Sequence, residues 1–74
     1  MDLTQKQYEL YIAIIDYIKE YGYSPTIREL CKITEVSSPA TTFSKLKTLK
    51  RKGYITYVDK KSRTIKILKE IEKW

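Results

Sequence analysis

Hydrophobic positions recur at helical spacing through the first fifty residues and then switch to the two-residue period of a strand. Leu10, Ile14, Tyr17 and Tyr21 lie three or four apart and share one face of a helix. Thr4-Gln5-Lys6-Gln7 opens that helix as a capping box, with Leu3 and Tyr8 in the staple positions. The helix is predicted to run to about Tyr21, where Gly22 supplies the left-handed cap. Pro25 cannot continue a helix, so Tyr23-Ser24-Pro25 is a connection. Thr26-Ile27-Arg28-Glu29 is a second capping box, predicting a short helix to Ile33 or Thr34. Glu35-Val36-Ser37 reads as a turn. Ser38 then caps a third helix with Pro39 in its first position, where the missing N–H costs nothing. Leu46 and Leu49 face inward on it, and Gly53 ends it after Lys52.

After Gly53 the residues become β-branched and aromatic. Tyr54 to Val58 and Thr64 to Leu68 read as two strands, and Asp59-Lys60-Lys61-Ser62-Arg63 between them as a cationic hairpin tip. The order is helix, short helix, helix, hairpin. The predicted fold is mainly α with a small β-hairpin, a three-helix winged helix-turn-helix over residues 3–68. Residues 69–74 are a C-terminal tail or the start of a linker.

The first helix carries more apolar surface than this fold requires. Tyr8, Ile12 and Ile15, with Tyr11 and Ile18 at the edge, form a second stripe beside the first. Together the two span about 220°, against about 100° for an ordinary core-facing helix. The pattern allows two readings. Tyr8, Ile12 and Ile15 form a protein interface, such as a homodimer contact, or the helix is buried more deeply than usual.

Charge divides the chain in two. The 74 residues carry a net charge of +6. Residues 1–37 hold four basic and six acidic side chains, a balance of −2. Residues 38–74 hold eleven and three, a balance of +8, concentrated on the third helix and the hairpin. A basic half on a small domain implies a polyanionic partner. No histidine is present and Cys31 is the single cysteine. Histidine-based catalysis, multi-cysteine metal sites and an internal disulfide are thereby excluded. Cys31 is expected to pack against the core. No catalytic residue, metal, cofactor or small-molecule ligand is expected, and the chain is read as a non-enzyme. The longest apolar run, Tyr11 to Ile15, is too short for a membrane span, and Met1-Asp2 does not open a secretory signal. A cytoplasmic, nucleoid-associated protein of a bacterium or phage is expected.

Several stretches carry a family likeness: Tyr21 to Glu29 before the second helix, Ser37 to Thr41 opening the third, Leu46 to Ile55 running into the hairpin, and Ser62 to Leu68 on its return. They resemble the N-terminal DNA-binding domain of LexA, the bacterial SOS-response repressor. The resemblance implies a winged helix-turn-helix that binds double-stranded DNA as a dimer on a palindromic operator and regulates transcription. It implies that the third helix reads the major groove and the wing touches the backbone. LexA also has a C-terminal peptidase domain with a Ser-Lys dyad, to which nothing in these residues corresponds. Glu35 stands where the family has glycine, and a differently shaped turn is expected there. Phe43 stands at a polar position of the family, and so do Ile12 and Ile15.

By that mapping Ser38, Ala40, Thr41, Phe43, Ser44 and Lys45 are the base-reading residues. Hydroxyls of Ser and Thr bond to base edges, while Ala40, the Thr41 methyl and Phe43 can pack on thymine methyls. Phe43 has a core position as its other reading. Phosphate contacts are expected from Thr26, Arg28, Lys47, Lys50, Arg51, Lys52, Lys60, Lys61 and Arg63, and from the amide end of the second helix. The alternative function is a winged-helix module that binds a protein, as a phage or mobile-element regulator does.

Overall fold

The computed structural model describes residues 3–36 and 38–69. The helices are α1 (Gln5–Tyr21), α2 (Ile27–Ile33) and α3 (Pro39–Arg51). The strands β1 (Ile55–Thr56) and β2 (Lys66–Ile67) form one antiparallel pair, with Ile55 opposite Ile67 and Thr56 opposite Lys66. The expected tail from residue 70 onward lies outside the described residues.

The predicted caps form. Thr4 and Thr26 each accept from the backbone N–H three residues on, and Gln7 and Glu29 reach back to the N-cap amides. Ser38 caps α3 by accepting from the Thr41 N–H. Helix α3 ends in a Schellman motif: Gly53 is left-handed, and the Tyr54 and Gly53 amides donate to the Leu49 and Lys50 carbonyls. Helix α2 ends in the same way. The Val36 and Glu35 amides donate to the Cys31 and Lys32 carbonyls, and Glu35 takes the left-handed position with φ 57°. The expectation of a differently shaped turn is thus corrected. Glu35 adopts the glycine conformation, because two satisfied carbonyls offset the crowding of its Cβ.

One core joins all five elements. Leu10, Tyr11 and Ile14 of α1 meet Leu30 of α2, Leu46 and Leu49 of α3, and Tyr54, Ile55 and Ile65 of the hairpin. Tyr11 packs edge-on against Tyr54, with ring centroids 5.4 Å apart. Tyr11, placed at the edge of the second stripe by periodicity, is fully buried, whereas Tyr21 is 56% exposed. Ile12 and Ile15 are half-buried and pack against this core, and Tyr8 is half-buried. Cys31 is also half-buried, and its thiol donates to the Thr42 hydroxyl at 3.3 Å.

The hairpin ladder is shorter than predicted. Beyond β1 the Val58 amide donates to the Thr64 hydroxyl rather than to a carbonyl across the ladder. Before β2 the Ile65 amide donates to the Ser24 hydroxyl, on the connection between α1 and α2. Side chains have replaced ladder bonds on both sides of the tip, so regular pairing stops at two residues per strand.

Candidate nucleic-acid interface

Helix α3 turns much of its N-terminal half to solvent because its buried residues, Thr42, Leu46 and Leu49, share the opposite face. Ala40, Thr41, Phe43 and Ser44 are exposed, while Ser38 and Lys45 are half-buried. Phe43 is 39% exposed and lies outside the core cluster. Its ring faces Tyr57 of the wing at 6.4 Å between centroids, and the Lys47 ammonium sits 5.8 Å from its centre.

The wing and α3 enclose a cleft of about 470 Å³ that also reaches the start of α2. Phe43, Leu46, Tyr57, Val58 and Ile65 give it an apolar lining, and Arg28, Lys60 and Lys61 bring positive charge to it. Thr26 and Arg63 line it too. Six residues predicted from separate stretches of sequence therefore converge here: Thr26, Arg28, Phe43, Lys60, Lys61 and Arg63. Lys45 does not join them. It borders a smaller hollow of about 180 Å³ that Glu9 and Glu35 also line. Arg51 and Lys52 lie about 16 Å along the helix axis from Ala40. Lys50 is committed within the fold: its ammonium donates to the Tyr57 carbonyl at 3.0 Å and lies 4.4 Å from that ring's centre. The amide end of α2 is also partly spent, since Glu29 accepts the Thr26 N–H at 2.8 Å.

Tyr57 and Val58, which sequence reasoning took as strand residues, form much of the apolar wall.

Arg63 is held from several sides. Its guanidinium donates to both Glu29 carboxylate oxygens, at 3.1 and 2.9 Å, and to the Ser24 carbonyl at 3.0 Å. It reaches the Tyr17 hydroxyl at 3.4 Å and stacks on Tyr23, 4.8 Å from the ring centroid. The Glu29 carboxyl is lowered to about 2, first by the Thr26 amide it accepts from and then by Arg63. Hydrogen bonds from Arg63 to Tyr17 and Glu29 raise the guanidinium's own affinity for its proton.

Among known proteins, the family model described as "LexA DNA binding domain" matches residues 1–64. The chain belongs to the LexA DNA-binding domain family. It is 46% identical over 68 residues to a LexA repressor of Desulfatibacillum aliphaticivorans, covering 92% of this chain and 34% of that one. The "Transcription regulator LexA" of Synechocystis sp. is 39% identical over 66 residues, with 89% and 32% covered. A LexA repressor of Clostridium novyi is 45% identical over 65 residues, with 88% and 32% covered. The chain thus spans about a third of the length of these LexA proteins. Within the LexA domain, no helix among the described residues is long and apolar enough to cross a membrane.

Proposed function

We propose that this domain binds a specific operator in double-stranded DNA and represses transcription by occupying it. The observation that carries the reading is the cleft. Phe43, one of the expected reading positions of α3, and Lys60 and Lys61 of the wing line one surface, on a chain of the LexA DNA-binding domain family. In this reading Ala40, Thr41, Phe43 and Ser44 reach base edges in the major groove, with Ser38 and Lys45 beside them. Arg28, Lys47, Lys60 and Lys61 hold the phosphates from α2, α3 and the wing, with Thr26, Arg51 and Lys52 at the margins.

Selection of bound duplexes from a random pool tests it. Enrichment of one half-site is expected, in single or inverted copies. Binding should weaken with salt at a log–log slope of about −4.5, the value for about five phosphate contacts. A pool that never enriches, or binding that ignores salt, overturns the reading in favour of a protein partner.

A further inference from the structure

A two-pair hairpin does not fix its own direction. The wing has only the pairs Ile55–Ile67 and Thr56–Lys66, yet its tip carries Lys60 and Lys61. Something outside the ladder must aim it. Lys50 of α3 holds the near strand at the Tyr57 carbonyl, and two attachments hold the returning side of the tip, to the connection between α1 and α2 and to α2 itself. The Ile65 amide donates to the hydroxyl of Ser24, which is only 6% exposed and itself donates to the Pro25 carbonyl. Two residues earlier, Arg63 donates to the Ser24 carbonyl and forks onto Glu29. Arg63 sits with φ 57° and Lys60 with φ 64°, conformations that cost a residue bearing a Cβ and that persist where contacts hold them.

We propose that Arg63 is a positioning residue: it clamps the wing to Glu29 and Ser24 and so directs Lys60 and Lys61 toward the DNA, rather than serving as a phosphate ligand. The clamp deepens the DNA-binding reading and rests on it. It accounts for the carboxylate held against Arg63, a residue that lines the cleft. A bare carboxylate beside the phosphate path would repel DNA, whereas Glu29 is neutralised in place by the guanidinium. It also makes a prediction opposite in sign to simple charge counting. Glu29→Gln adds one net positive charge and frees Arg63. If Arg63 were a phosphate ligand, DNA binding would tighten. If it is a clamp, binding weakens. Glutamine still completes the α2 capping box, so the helix start is kept while the ion pair is removed.

The test uses the full chain and a duplex taken from the selection above. Parent, Glu29→Gln, Arg63→Lys and the double variant are titrated at fixed salt, and amide exchange is followed at Ile65 and, as an internal control for the folded core, at Ile14. Lysine retains the charge but not the fork or the stacking. Each single variant is expected to weaken binding about fivefold or more, with the double no weaker than either single, as one shared interaction requires. The Ile65 amide should exchange about tenfold faster in both singles, a larger factor than at Ile14, whose exchange follows the global stability. Glu29→Gln binding as tightly as the parent or more tightly, or unchanged exchange at Ile65, overturns the clamp. If the parent enriches no duplex, the DNA-binding reading fails, and exchange at Ile65 still decides whether Arg63 fixes the wing.

Discussion

Glu35 and Glu29 show how much one side chain can decide in a small fold. Glu35 occupies the left-handed end of α2 with φ 57°, where a Cβ meets the following carbonyl. Both amides of the motif are already bonded, so a glycine loses nothing and relieves the crowding. Glu35→Gly is expected to stabilise the domain by about 0.5–1 kcal/mol, seen as a melting temperature raised by about 3–6 °C. A lower melting temperature would show that the carboxylate does something the Schellman motif does not require. Glu29 governs the acid side. Its folded carboxyl is lowered to about 2 from an ordinary 4.5, so the unfolded chain takes up that proton first. Its contribution is therefore complete above about pH 4.5 and is lost as pH falls through about 2. Denaturant midpoints of the parent and Glu29→Gln should converge as pH is lowered across that window. A constant gap between them would place the Glu29 contribution elsewhere than in its charge.

At the scale of elements, the helices were legible because their signals are local. Each capping box lies within four consecutive residues, and Gly22 and Gly53 mark two of the helix ends. The wing was not legible to the same degree. Ile65 pairs with Ser24, and Arg63 with Glu29, across 41 and 34 residues, and no local pattern announces such partners. Periodicity also misplaced Tyr11 and Tyr21, because rigid spacing ignores where α1 crosses its neighbours and where it runs past them. The surplus apolar stripe resolves in part for the same reason: Ile12 and Ile15 are packed against the core that the hairpin completes. Of the proposed reading positions, Phe43 is distinctive. It forms an aromatic wall with Tyr57 at the mouth of the cleft, with no polar atom to bond a base edge. Such a wall favours a thymine methyl, whose burial contributes about 0.8 kcal/mol, or about fourfold in affinity. Replacing thymine by uracil at each position of a selected half-site is expected to weaken binding by that factor at one or two positions. Phe43→Ala should abolish the difference there. Equal sensitivity in Phe43→Ala would move the methyl contact to Ala40 or Thr41.

The folded domain measures 27 × 25 × 22 Å over its described residues, with a radius of gyration of 11.1 Å. One turn of DNA is about 34 Å long, so one copy spans less than a turn and presents a single α3 to a single stretch of major groove. If the proposed operator is a palindrome, it needs two copies, each bringing its own basic face. The +8 on residues 38–74 works in both directions: it draws each copy to the duplex, and it gives two adjacent copies little reason to approach one another before DNA is present. On the proposed reading, two-site binding by free domains is expected to be weak, with a deficit of effective concentration rather than of contacts. Two copies joined by a long glycine–serine linker are expected to bind an inverted repeat with half-sites one turn apart about 10²–10⁴ times more tightly than a single copy. The salt slope should double with them, from about −4.5 to about −9, because twice as many phosphates lose their counterions. The slope separates the explanations. A tandem protein that gains affinity at the single-copy slope has only one domain on the DNA at a time, which would assign the gain to rebinding and leave the palindrome unread.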